Sequence, residues 1–236
     1  RRYSLPDLNR AISGIHFPES VLHAEQSRKR LAFNEVFSLQ YYLLLNKKII
    51  KNTSAKSIKE PDLNLFHQFI NGLPFNLTDD QVCAIEDITS DIISDSTMNR
   101  LLQGDAGCGK TVVALATALL HLSMKRQVAF LAPTEILAKQ HYENALKYMP
   151  EEIKCSLLTG TTTAGEKSKI YSGLENGSIS LIIGTHALIQ PSVKFKNLGY
   201  IIIDEQHRFG VEQRGIMRTK GNSTDLLVMT ATPIPR

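Results

Sequence analysis

Gly104-Asp105-Ala106-Gly107-Cys108-Gly109-Lys110-Thr111 matches the phosphate-loop pattern G-x-x-x-x-G-K-[ST] at every fixed position. The apolar pair Leu101-Leu102 precedes it and a helix-like apolar run over residues 112–122 follows it, which is the strand-to-helix setting such a loop needs. Glycines let the backbone take positive φ angles and turn several N–H groups toward one anion. The helix that follows adds its free N–H groups and the positive end of its dipole. Lys110 is then placed to reach the β- and γ-phosphates of a nucleotide, and Thr111 to put a hydroxyl on Mg²⁺. The competing account is a glycine-rich turn that fits by chance, and the strand before and helix after argue against it.

Working outward, residues 61–236 alternate short apolar runs with helical segments. The runs fall at 100–103, 128–132, 155–159, 179–184, 200–204 and 226–230, and the helices near 110–123, 135–148, 164–175 and 205–217. This alternation predicts an α/β fold with a mostly parallel sheet flanked by helices. The runs are continuously apolar, as expected for strands buried on both faces. A shorter helix is expected over 61–70. Thr78-Asp79-Asp80-Gln81 reads as a capping box that opens another helix toward Ile93.

In a parallel α/β sheet, ligands sit at the carboxyl ends of the strands. The run Tyr200-Ile201-Ile202-Ile203 leads straight into Asp204-Glu205-Gln206-His207. An acid at that strand end can hold Mg²⁺ opposite Thr111, and Glu205 is then placed to orient or deprotonate an attacking water. Two acids after a strand also suit a helix N-terminus. The pairing with the loop around Lys110 favours the catalytic reading.

Composition narrows the class. Hydrophobic content of 42%, charged content of 21% and a net charge of +4 describe an ordinary globular chain, mildly basic and compatible with a polyanionic partner. Cys83, Cys108 and Cys155 show no paired spacing, so neither a disulfide framework nor a zinc site is expected. No apolar run approaches the ~20 residues of a membrane span. The chain opens on Arg1-Arg2 and closes on Pro233-Ile234-Pro235-Arg236, and both ends read as cut from a longer protein.

Residues 1–60 differ in texture and are expected to form a helical connector. A short helix should end at His16-Phe17-Pro18. A long helix over 19–46 should follow, with Phe33, Val36, Phe37, Leu43 and Leu44 on one stripe. Arg28, Lys29 and Arg30, then Lys47, Lys48, Lys51, Lys56 and Lys59, serve equally well as a solvated face or a nucleic-acid surface. Residues 47–60 have the composition of a linker.

The loop at Lys110, Asp204-Glu205-Gln206-His207 and Met229-Thr230-Ala231-Thr232-Pro233 together resemble motifs I, II and III of superfamily-two helicases. Residues 204–214, the ending over 230–236 and the leader at Ile15-His16-Phe17-Pro18, 28–33 and 35–40 resemble the RecG family of bacterial branch-migration helicases. The Mfd-like translocases share much of this set, but usually carry Gln where His207 stands and lack the leader.

The resemblance implies a RecA-like motor domain using ATP and Mg²⁺, with branched or forked duplex DNA as partner and a bacterial cytoplasmic location. It implies that Phe75 and Gln81 recognise adenine, although Gln81 serves its own capping box equally well. It also implies DNA contacts at Pro133 and Thr134, at Thr159 and Gly160, and at Thr185 and His186. Without the family, these would read as ordinary strand-to-helix turns. Thr230 and Thr232, acting through His207, would link hydrolysis to movement. Cys108 stands where the family often has Ser. The family's wedge domain, second motor domain and arginine finger lie outside this sequence, so residues 1–236 alone should hydrolyse ATP slowly or not at all. A nucleotide-dependent binding module that does not turn ATP over is the competing class.

Overall fold

The strands β2 (Gln127–Leu131), β4 (Leu181–Gly184), β5 (Leu198–Asp204) and β6 (Asp225–Thr230) are buried along their whole length, and alternate residues of one strand enter two different cores. At the sheet edges, β1 (Asn99–Gln103) and β3 (Cys155–Leu158) are partly exposed. The computed structural model describes residues 5–53, 61–205, 215, 217, 219–221 and 223–231. The chain divides into two units, Arg1–Thr53 and Ser54–Arg236.

In the first unit, Asp7 caps α1 (Leu8–His16) by accepting from the Asn9 N–H at 2.9 Å. The helix α2 (Val21–Thr53) follows. The two approach closely at Gly14, where a Cβ would stand 2.3 Å from Ser27 Oγ. Phe33, Phe37 and Tyr41 stack in sequence along α2, with ring centroids 5.8 and 6.1 Å apart, while Val36, Leu43 and Leu44 of the expected stripe are exposed. The helix α2 runs past its expected end at residue 46 to Thr53, so the stretch expected from residue 47 as a linker or domain boundary is helical over 47–53, and the two units divide after it. Residues 47–53 contain neither glycine nor proline, and an established helix propagates through such residues at little cost. The rest of the expected linker lies outside the described residues.

The second unit is a six-stranded parallel sheet. In chain order the strands are β1 (Asn99–Gln103), β2 (Gln127–Leu131), β3 (Cys155–Leu158), β4 (Leu181–Gly184), β5 (Leu198–Asp204) and β6 (Asp225–Thr230). In space the order is β1-β6-β5-β2-β4-β3, every pairing parallel. The helices are α3 (Leu63–Asn71), α4 (Asp79–Ile93), α5 (Lys110–Ser123), α6 (Glu135–Tyr148) and α7 (Ala164–Asn176), with a 3-10 turn at His186–Ile189. α3 begins later than expected because Asp62 caps it, accepting from the Asn64 N–H. Of the helix expected over 205–217, only Gly215 and Met217 are described as helical.

Tyr200, Ile202, Val128, Phe130, Leu227 and Met229 face the core built with α3, α4, α5 and α6. Their chain neighbours Ile201, Ile203, Ala129, Leu131, Leu226 and Val228 face the core that includes Leu174 of α7 and Leu188. Period-two alternation with no polar face is the signature of a sheet buried on both sides. α5 lies deepest, with every residue from Val113 to Leu122 buried. At the amino end of the sheet, Asp225 Oδ1 accepts from the Met98 N–H at 2.6 Å, and the Tyr200 hydroxyl meets Thr117 Oγ1 at 3.1 Å. Burial pushes the Tyr200 phenol far above its ordinary value, so it stays protonated in this contact.

Leu119 is fully buried at the centre of α5. Leu119→Ala should destabilise the second unit by about 2–5 kcal/mol in urea unfolding, the range for a leucine cavity that cannot collapse.

Candidate functional site

The loop leaves β1 and is fastened at once, because the Gly104 N–H donates to Thr230 O of β6 at 3.2 Å. Gly107 and Gly109 take the left-handed conformation, with φ of 81° and 85°. Gly104 does not, which corrects the expectation that all three glycines serve positive φ; a Cβ there would stand 2.7 Å from Cys108 Sγ. Its requirement is space, since the loop folds back on itself. Gly109 is the N-cap of α5 and supplies no side-chain hydrogen bond, so the first N–H groups of the helix point into the loop uncapped by any side chain. Lys110 Nζ donates to the carbonyls of Gly104 at 2.6 Å and Asp105 at 2.8 Å. A cation held only by neutral carbonyls is free to exchange them for an anionic partner, which binds more strongly. Uncapped N–H groups, two left-handed glycines and this cation fit a nucleotide's phosphates.

β5 ends at Asp204, level with Met229 of the neighbouring strand. Asp204 Oδ2 lies 2.9 Å from His141 Nε2, and the His141 ring stacks on Phe130 with centroids 4.5 Å apart. Asp204 Oδ1 makes no hydrogen bond among the described residues. Neither do those residues contain a group of three or more His, Cys, Asp and Glu side chains able to hold a metal. Mg²⁺ takes one or two carboxylates and completes its shell with water and phosphate oxygens, so Asp204 is the carboxylate here that could hold it. Glu205 has a φ of 52°, a left-handed conformation costing about 1 kcal/mol for a residue with a side chain. Its N–H donates to Met229 O at 2.9 Å, which holds the chain in that turn.

Gln81 performs its capping role and also reaches the loop. Its Oε1 accepts from the Thr78 N–H while the Thr78 hydroxyl accepts from the Gln81 N–H, completing the capping box. Its Nε2 then donates to Cys108 O at 2.8 Å. A Cβ on Gly109 would meet that amide at 2.3 Å. Phe75 is exposed, its ring edge-on to Tyr148 at 6.5 Å.

The remaining candidates follow the other three strands. Pro133 and Thr134 follow β2; Thr134 is the N-cap of α6, its hydroxyl accepting from the Leu137 N–H. Thr159 and Gly160 follow β3, and Thr185 and His186 follow β4. The Thr159 and Thr185 side chains are buried, whereas Gly160 and His186 are exposed. Glu135 accepts from the Thr161 N–H at 3.2 Å and from the Thr161 hydroxyl at 3.0 Å, bracing the turn after β2 against the turn after β3. The strand order therefore gathers Lys110, Thr111, Thr230, Asp204 and Glu205 on β1, β6 and β5, and the other turns on β2, β4 and β3. His207 and Thr232 lie outside the described residues.

His141 was not legible as a site residue, though a signal existed. It sits in the buried stripe Ala138, His141, Ala145 of α6, a polar ring at a position the helical period gives to the core.

The family model described as DEAD/DEAH box helicase matches residues 78–236. The ATP-dependent DNA helicase RecG of Thermotoga maritima is 50% identical over 229 residues, covering 96% of this chain and 29% of that protein. RecG of Borreliella burgdorferi is 43% identical over the whole chain and 34% of its own length. The solved structure of RecG bound to a three-way DNA junction superposes with a TM-score of 0.84 at 46% identity, covering all of this chain and 32% of that one. Mss116p bound to single-stranded RNA and AMP-PNP, at 22% identity and a TM-score of 0.60 over 77% of this chain and 42% of its own, shares the RecA-like fold. The chain thus spans about a third of the length of these RecG relatives.

The two roles of Gln81 separate by substitution. Gln81→Glu keeps the capping acceptor and loses the donor to Cys108 O, so thermal stability should stay at the parental value while nucleotide affinity falls. Gln81→Ala should lower both, with about 1 kcal/mol lost from the cap. Calorimetric melting and nucleotide titration check the pair.

Proposed function

The chain belongs to the DEAD/DEAH box helicase family, and on that premise we propose that it is the first motor domain of a RecG-like, ATP-dependent translocase of double-stranded DNA that remodels forked and branched duplexes. The observation that supports this reading is the strand order, in which Lys110, Thr111, Thr230, Asp204 and Glu205 belong to the ends of β1, β6 and β5 and the small polar turns to those of β2, β4 and β3. Similarity to RecG helicases over the whole chain supports the same reading, and the Mfd-like alternative is not favoured. Residues 61–236 form the motor domain in this proposal, and residues 1–60 a helical connector.

The loop N–H groups and Lys110 bind the β- and γ-phosphates of ATP. Thr111 and Asp204 would hold Mg²⁺, which when bound would supply charge neutralisation at the phosphoryl group. Glu205 accepts a hydrogen bond from a water, orients it in line with the γ-phosphorus and takes its proton as the water oxygen bonds to that phosphorus and the bond to the β–γ bridging oxygen breaks, with ADP leaving. Phe75 and Gln81 bear on the adenine. Because Gln81 also grips Cys108 O, base recognition and loop shape are joined.

Thr134, Gly160, His186 and the backbone around Thr159 and Thr185 face the DNA phosphates through short hydroxyls and N–H groups, which position a duplex without reading its sequence. Thr230, through the carbonyl that holds Gly104, and with it His207 and Thr232, carries the loop's state toward those turns. In this proposal the longer chain supplies a second RecA-like domain and a wedge domain, and the enzyme works in the bacterial cytoplasm. No helix among the described residues is long and apolar enough to cross a membrane.

In the complete protein, Glu205→Gln should bind Mg·ATP normally and lose about 10²–10⁴-fold in turnover, the scale of a missing general base. Unchanged turnover would instead support a nucleotide-gated binding module. DNA-stimulated ATPase should be higher on forked and four-way substrates than on linear duplex, and equal stimulation removes the branch-specific part of the proposal.

A further inference from the structure

Asp204 contacts a residue that belongs to a different part of the chain and lies outside the motif residues named above. His141 lies 63 residues earlier, in the middle of α6, with its Nε2 2.9 Å from Asp204 Oδ2. Both side chains are largely buried, 7% and 12% exposed. An ionised carboxylate only accepts, so a hydrogen bond from this ring to an ionised Asp204 has His141 Nε2 as its donor. His141 Nδ1 makes no hydrogen bond among the described residues. The ring is clamped face-on against Phe130 of β2, with an interplanar angle of 27°. It therefore has one polar contact and little freedom to choose another.

We propose that His141 is a positioning residue for ATP hydrolysis: it fixes the rotamer of Asp204 so that Oδ1 faces the metal, and it links the turn at Thr134 to the metal side of the site. The proposal rests on the reading above in which Asp204 serves Mg²⁺. The link is mechanical. Thr134 caps α6, and His141 lies seven residues further along, about 10 Å up a rigid helix. Ala138 and Ala145 flank it on the buried face, so small side chains let α6 approach the sheet and bring the imidazole within reach of the β5 end. A shift of the Thr134 turn on binding a duplex must move α6 with it, and α6 carries the donor that holds Asp204. The same helix reaches the turn after β3 through Glu135 and Thr161. A carboxylate that ligates a metal depends on such an outer partner for its direction, and losing one typically costs about 10–100-fold in metal affinity.

The bland account is that a core histidine fills space against Phe130 and finds the nearest acid. Two substitutions in the complete protein separate the accounts. His141→Phe keeps a ring on Phe130 and removes the donor, whereas His141→Gln keeps an N–H donor and removes the ring. The readout is binding of a fluorescent non-hydrolysable ATP analogue, titrated with Mg²⁺ and repeated in EDTA.

His141→Phe should leave metal-free analogue binding unchanged and raise the Mg²⁺ needed for half-saturation by about 10–100-fold. His141→Gln should recover most of that loss. The ratio of DNA-stimulated to basal ATPase should fall in His141→Phe and recover in His141→Gln. Parental Mg²⁺ half-saturation in His141→Phe overturns the proposal, and so does a His141→Gln protein no better than His141→Phe. An unchanged stimulation ratio removes the link to the Thr134 turn. Should His141→Phe fail to fold, His141→Gln decides alone: parental Mg²⁺ dependence supports the positioning role and a weakened one overturns it. A parent protein that binds Mg·analogue without any DNA-stimulated ATPase defeats the motor reading and leaves the contrast between the two variants intact.

Discussion

The last two carbonyls of β6 hold the nucleotide site together. Met229 O accepts from the Glu205 N–H and Thr230 O accepts from the Gly104 N–H, each the first residue beyond a neighbouring strand. Parallel pairing makes this possible, since Gln103 stands opposite Thr230 and Asp204 opposite Met229. The phosphate loop and the acidic pair are thereby set on either side of one short strand, with no contact between them needed. The two backbone bonds also extend the sheet by a residue on each side, so the site begins as a continuation of the most rigid part of the molecule. Glu205 keeps its left-handed backbone on that footing, because the adjoining ladder outweighs the cost of the turn.

A second constraint comes from α5. Its residues from Val113 to Leu122 are all buried, so it cannot rotate or slide without breaking both the sheet contact and the contacts to α3 and α4. Its first turn, carrying Lys110 and Thr111, is held with the same precision. The loop between β1 and α5 is then short of room, which explains the different duties of its glycines. Gly107 and Gly109 supply handedness, while Gly104 leaves space for the Cys108 side chain. Gln81 closes the loop from outside, borrowed from the capping box of α4.

α6 joins the two halves of the strand edge. Through its cap it belongs to the turn after β2, through Glu135 to the turn after β3, and through His141 to the acid after β5. Such an element can register changes at one end of the edge and express them at the other. Its buried face is narrow, made of alanines and one histidine, and that narrowness sets the close approach on which the imidazole depends.

Local patterns in the sequence determined the element types, the phosphate loop, the threonine-led capping box of α4, and the two acids at and just past the end of β5. All of these rest on spacings within a few residues, where sterics and hydrogen bonding act without help from the rest of the chain. The start of α4 was legible from its capping box at Thr78, whereas the start of α3 at the Asp62 cap and the end of α2, where propagation continues without a breaker, were not. Only the tertiary structure decided the strand order β1-β6-β5-β2-β4-β3, which separates the nucleotide half from the other turns. It alone also paired His141 with Asp204 across 63 residues and Gln81 with Cys108 across 27. The physical reason is common to all three: period and propensity say which face of an element is apolar, but not which neighbour covers it. That choice is made only when the two cores close on the sheet at once.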